Sequence, residues 1–517
     1  MRTRRDVWKL ASDPNDQTLH WYSVAVDTMQ QRMFDDPTSW KFQAAVHGYQ
    51  ASVYPPLRSG EHLPQSDVQK TYWDNCQHAS WWFVPWHRIY IFLFERMCRS
   101  IISAVGGPQD WALPYWDYSH PATATQRQLP GPFRNANSGG KPNALFALRG
   151  PGVNSGMVVG TDQQSENTTC LKSAAFSGVF PNGFGGAPSP VMQFSHYPGS
   201  CENGPHNSMH DAIGGPVGWM DNPDAAALDP IFWLHHSNID RLWVIWANTV
   251  PHVLPPDASW NDQAFPFFDE LGNVQTYKVA DVLKTTGPLC DYQYEDTTNP
   301  LGLQLPFQLT ASSVRFGKHA TTAGAEKTPT PTGDSGNPPE TFARKVMKQS
   351  QLVGASETTG MMLGSDRQSV AFELHSPSPA NKSDALGTPE ATQRVILALE
   401  NVTAQEHPIH SYEVYVNVPE GEEPTEHPEL LAGLISRFGL VKATSPDSTH
   451  GGQGLNLSFD ISELVARLEQ SGTWNPTTVR VTFIPHDLQE VEALRLEGTA
   501  MPQIQPIKVG RVSIYVQ

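Results

Sequence analysis

Hydrophobic and polar positions follow two different rhythms along this chain. In the first three hundred residues apolar side chains recur at helical spacing, and the stretches 40–49, 85–105, 203–213 and 229–248 are predicted as helices. Pro205 sits at a favourable first-turn position of the third, and Asp229-Pro230 is a start signal for the fourth. Gly/Pro/Asn-rich loops at 131–160 and 181–204 are longer than simple connections. From 310 to 366 the composition shifts to Thr, Pro, Gly, Ser and Lys, which predicts an exposed linker. Beyond it, period-two alternation predicts strands at 369–374, 394–399, 412–418, 455–461, 479–484 and 508–516, interrupted by a helix at 462–469. The expected organisation is multidomain: a mainly α-helical unit at 1–309, the linker at 310–366, and a β-sandwich-like or barrel unit at 367–517.

Composition narrows the function classes. Hydrophobic residues make up 39% and charged residues 17% of the 517, enough apolar surface for a sizeable core. The net charge of −17 argues against nucleic acid or an anionic membrane as partner, since both select basic patches. The longest strongly apolar run, 89–94, stops at Glu95, far short of a bilayer span. No apolar stretch follows the basic N-terminal residues, so no cleavable signal is read and a cytoplasmic or otherwise intracellular location is expected. The five cysteines are irregularly spaced without a CxxC pair, which argues against a disulfide framework. Whether Cys98, Cys170, Cys201 and Cys290 pair is left open; Cys170 and Cys201 are loop residues and could.

The chemistry lies in the histidines of the helical half. His206 and His210 are four apart and share one helix face; His235-His236 follows in the next predicted helix. Upstream stand His47, then His78 and His87 in the segment that begins at Cys76. Two groups of three imidazoles with almost no carboxylates among them suit copper or zinc better than iron or magnesium. The absence of Glu-x-x-His beside either group weakens a di-iron bundle, and no His-Glu-x-x-His occurs, which excludes a zincin protease.

These segments, with Leu113-Pro-Tyr-Trp-Asp117 and Tyr292-Gln-Tyr294, resemble the tyrosinase and polyphenol oxidase family of type-3 copper proteins over roughly residues 1 to 300. The β-rich tail is similar to the plant-type C-terminal shielding domain. The resemblance implies a four-helix bundle holding two copper ions, one on His47, His78 and His87, the other on His206, His210 and His236. It implies a thioether from Cys76 to His78, which would fix that imidazole's orientation. His235 and Phe232 are expected near the substrate pocket; Trp82, Phe83, Trp86, Phe232 and Trp233 are candidates for an apolar shell, though most of them read as plain core packing. Glu202 and Asn207 are expected to hold the water that takes a monophenol's proton, while Asp211 is expected at the surface. The implied activity is dioxygen-dependent ortho-hydroxylation of small monophenols and oxidation of o-diphenols to quinones, latent until the tail is displaced. A catechol oxidase without hydroxylation, a haemocyanin-like oxygen carrier and a zinc-binding structural protein are the alternatives. The oligomeric state stays open.

Overall fold

The computed structural model describes residues 1–119, 123–160, 168–191, 193–249, 252–287, 289–302, 350–356, 360–375, 394–447, 450–486 and 505–517. Five helices build and flank the centre of the first unit: α1 (Thr18–Gln31), α2 (Trp40–His47), α3 (Phe83–Ala104), α4 (Asn207–Gly214) and α5 (Pro230–Asn248). Helix α3 packs on α5 and α1, and α1 on α2, so four of them form the bundle, while short α4 packs on the 202–206 turn before it and on the short helix Trp219–Asp221.

Local chemistry sets the helix starts. Ser39 caps α2, its hydroxyl accepting the Phe42 N–H at 3.2 Å. Asp229 caps α5 by accepting the Ile231 N–H at 3.0 Å, with Pro230 at the first helical position. The predicted helix at 203–213 is split. Residues Glu202–His206 form a wider turn in which the Asn207 N–H reaches the Glu202 carbonyl, with Gly204 at φ −75°, ψ −106°, and α4 begins only at Asn207. Pro205 has no N–H to continue an ordinary ladder, which accounts for the break.

Asp229 is also clamped from outside. Arg149 meets both its carboxylate oxygens at 2.6 and 2.7 Å, and both side chains are fully buried. Removing one partner strands the other charge in the core, so Arg149→Ala is expected to cost about 3–5 kcal/mol, read as a lowered denaturation midpoint.

The C-terminal unit is a sandwich of two four-stranded antiparallel sheets. One runs Leu455–Asp460, Val395–Val402, Arg511–Val516, Gln351–Ala355; the other Leu431–Ile435, Tyr412–Val416, Thr478–Pro485, Gln368–Glu373. Strands Gln351–Ala355 and Met361–Leu363 correct the linker boundary, because they lie inside the stretch read as linker and belong to the β unit. Their patterns are too short to be legible alone; the first forms against Arg511–Val516 and the second against Ile507–Val509. Residues 310–349 of the predicted linker lie outside the described residues. The hydrophobic core runs without interruption from the bundle into the sandwich.

No helix among the described residues is long and apolar enough to cross a membrane. The Tyr292–Tyr294 strand pairs in parallel with Arg2–Arg4, and buried Arg4 meets Glu95 at 2.7 Å and the Tyr294 hydroxyl at 2.8 Å. The Tyr-x-Tyr segment thus closes the bundle by tying its two ends together.

Candidate metal centre

Seven imidazoles from α2, α3, α4, α5, the 202–206 turn and the loop before α3 converge in one space, each at most 2% exposed. Ring nitrogens of His47, His87 and His236 lie within 4.8 Å of one another, as do those of His206, His210, His235 and His236. His78 joins through His47, whose ring centroid is 5.2 Å away. His236 stacks on His87 at 4.4 Å and 9°, so it stands between the two groups.

Four of the rings are held in the same way. Nδ1 of His47 bonds the Pro223 carbonyl at 2.9 Å, that of His87 the Phe83 carbonyl at 2.7 Å, and that of His210 the Met220 carbonyl at 2.6 Å. Nδ1 of His206 bonds the Asn207 amide oxygen at 2.7 Å. An acceptor on Nδ1 puts the proton there and leaves Nε2 as a free lone pair. The Nε2 atoms of these four histidines are buried without a hydrogen-bond partner, as are both ring nitrogens of His78 and His236. Burial pushes His47 down to about 3 and holds His78, His87, His206, His210 and His236 well below the ordinary imidazole range. Neutral, pre-oriented imidazoles without carboxylates form a donor set that fits copper.

His78, like His236, has no acceptor on either ring nitrogen. Its ring is stacked on Phe194 at 4.4 Å and 5°, and Cys76 Sγ lies within 4.8 Å of the ring nitrogens of His47 and His78. The Gln193 side-chain amide donates to that sulfur at 3.4 Å and to the His47 carbonyl at 3.0 Å.

The sandwich reaches into the centre. Phe438, on the turn after Leu431–Ile435, is 1% exposed and stacks on His210 at 4.0 Å and 24°, with His206 at 5.6 Å and His78 at 5.9 Å. Asp211 is the seat of that turn: it accepts from the Ser411 hydroxyl at 2.7 Å, the Arg437 N–H at 3.2 Å and the Phe438 N–H at 3.2 Å. Arg437 reaches Asp221 at 2.9 Å. Gly439 follows at φ +73°, where a Cβ would collide with the Phe194 ring, so the turn closes only with glycine. The expectation that Asp211 is a surface residue is therefore corrected; it is 2% exposed because another domain covers it.

The common central domain of tyrosinase matches residues 37–249, the polyphenol oxidase middle domain 255–302, and a domain of unknown function 349–517. A tyrosinase of Hahella sp. (strain CCB-MM4) is 32% identical over the whole chain and 99% of that protein. The chain belongs to the tyrosinase family. The latent form of chloroplastic polyphenol oxidase from Prunus armeniaca is 25% identical over 92% of this chain and 72% of that protein. In fold, the chain is similar to latent apple tyrosinase, with a TM-score of 0.60 at 22% identity over 100% of this chain and 97% of that one. As a tyrosinase-family oxidase it binds two copper ions and oxidises phenols with dioxygen.

The remaining expected residues fall into two sets. Phe83 packs against His87 and His206, each at 4.6 Å, Phe232 against His236 at 4.2 Å, and Trp86 against His87 at 4.8 Å. Trp233 instead stacks on Phe94, and Trp82 packs on Trp81 and Phe265, so both are core residues away from the imidazoles. His235 bonds the Tyr118 hydroxyl through Nδ1 at 2.6 Å and lies beside His206 and His210. It and Phe232 are fully buried. Glu202 is 2% exposed, accepts the Ala79 N–H at 2.8 Å, and is pushed up to about 8 by burial. Phe438, Phe194, Gln193 and Tyr118 carried no local signal in the sequence; only their contacts distinguish them.

Proposed function

We propose that this oxidase hydroxylates monophenols as well as oxidising o-diphenols, and that its own C-terminal domain keeps it latent. In this reading His47, His78 and His87 hold one copper, and His206, His210 and His236 the other. Copper supplies dioxygen binding and electron transfer to and from the phenol. The protein supplies orientation: Nδ1 anchors aim four imidazoles, and a Cys76–His78 thioether would replace the anchor that His78 lacks. Such a link would leave the peptide lighter by two hydrogens and resist reductant, which mass spectrometry reads directly. Phe232 and His235 form the floor on which the phenol ring would rest.

Hydroxylation requires removal of a phenolic proton whose pKa is near 10. Glu202 and Asn207 support this reading, one bonded beside His78 and the other on His206. In its ionised form, which burial makes predominant only above about pH 8, Glu202 can accept that proton through an intervening water.

Latency rests on one observation, the stacking of Phe438 on His210. An aromatic ring in that place occupies the space a phenol would need. Burying a phenylalanine is worth about 1.5–3 kcal/mol, so Phe438→Ala should raise the activity of the full-length chain by ~10–100-fold on a small diphenol. Equal activity of variant and parent would mean that the domain stabilises without shielding. With the shield displaced, a monophenol and its matching diphenol are compared as substrates. Turnover of both supports the tyrosinase reading, turnover of the diphenol alone makes the chain a catechol oxidase, and reversible oxygen uptake without turnover makes it a carrier.

A further inference from the structure

We propose that Cys170 and Cys201 form a disulfide that fastens the turn carrying Glu202 and His206. Both thiols are free and buried, with Cys170 1% and Cys201 0% exposed, and Cys170 lies near enough to act on the Cys201 thiol. Cys170 lies in the short helix Thr168–Lys172, and Cys201 immediately precedes the turn Glu202–His206. The two segments are held side by side by a second contact, the Ser173 and Ser200 hydroxyls at 2.9 Å. Both sides of the junction are anchored further: the Trp246 indole N–H donates to the Ser173 carbonyl at 2.6 Å, and the Cys201 N–H to the Phe184 carbonyl at 3.2 Å. Two buried cysteines carried by segments that are fixed side by side in this way are placed for bonding.

The turn is where such a bond has most to hold. It departs from helical geometry at Gly204, contains Pro205, and delivers a buried carboxylate and an imidazole within five residues. Neither cysteine takes part in the copper chemistry, so the pair is free for this use.

Oxidation by a small-molecule disulfide balances simply. One protein thiolate attacks the small disulfide, releasing one thiol and leaving a mixed disulfide; the second protein thiolate displaces the other half. One protein S–S bond forms, the small disulfide's S–S bond breaks, and the two protein protons end on the two released thiols. Because burial holds the Cys201 thiol well above its ordinary range, exchange proceeds through local opening or during folding, and the finished bond is shielded from reductant.

The copper-loaded full-length chain, incubated with oxidised glutathione, is denatured in alkylating agent and digested without reduction. A Cys170–Cys201 peptide pair that separates on reduction is expected, with Cys98 and Cys290 alkylated. Recovery of Cys170 and Cys201 both alkylated after oxidation at a temperature just below the melting transition overturns the proposal, as does either one linked to another cysteine. As a second measurement, the oxidised protein should melt several degrees above the reduced protein, and the C170S and C201S variants should show no such difference. A difference that persists in either variant assigns the effect elsewhere and also overturns it.

Discussion

His210→Ala is expected to leave a folded chain that binds one copper instead of two and has no measurable phenol oxidase activity. His210 is the ring on which both domains converge. Its Nδ1 is fixed on the Met220 carbonyl at 2.6 Å, its Nε2 is a buried lone pair without a partner, and its face carries Phe438. Alanine removes a ligand from one trio and leaves the other, on α2, α3 and the loop before α3, untouched. Electron transfer to dioxygen in this family needs both ions, so loss of one should abolish turnover rather than reduce it. Metal analysis separates the possibilities cleanly. Two coppers retained, or activity retained, would show that the second trio is not His206, His210 and His236 and that His235 serves in its place, since His235 lies 4.8 Å from His210, ring to ring. His235→Ala is the matching control and should keep both ions.

The second large effect should be selective. Glu202→Gln is expected to slow monophenol turnover by about 10²–10⁴-fold, the range of general-base assistance, while slowing diphenol turnover by no more than a few-fold. Glutamine keeps the size and the acceptor for the Ala79 N–H, but it cannot take a proton. The discriminating quantity is the ratio of the two kcat values, measured with the Phe438→Ala change also present so that the shielding domain does not mask either. An equal loss on both substrates would assign Glu202 to holding the loop beside His78. Asn207→Ala addresses a different element: its amide oxygen orients His206, so it should weaken copper binding on that side as well as turnover.

The sandwich explains why sequence reading misplaced some residues and not others. Asp211 follows His210 on a short helix and carries a charged side chain, which by itself reads as exposed. It is buried because Ser411 and the Arg437-Phe438 backbone, about two hundred positions later, saturate its carboxylate. A local pattern carries no information about such a partner. The kinked turn at 202–206 was likewise half legible: Pro205 marks a helix boundary, but the wider winding that brings Glu202 to the Ala79 N–H depends on the loop it packs against.

What the sequence determined by itself is what depends on neighbouring residues. Helix positions follow from apolar spacing with Ser39, Asp229 and Pro230 as start signals, and most strands of the sandwich follow from two-residue alternation. The metal chemistry follows from residue type, because three imidazoles without carboxylates, twice, admit few ions. Tertiary structure decided the remainder. It fixed the free nitrogen of His47 and His210, because the Pro223 and Met220 carbonyls hold the other one, and it placed His236 between the two groups. It also drew strand Gln351–Ala355 out of an apparent linker, through backbone bonds to the last strand of the chain. Above all it put Phe438 on His210, since a contact across 228 positions is selected by the fit of two folded surfaces and leaves no periodicity behind.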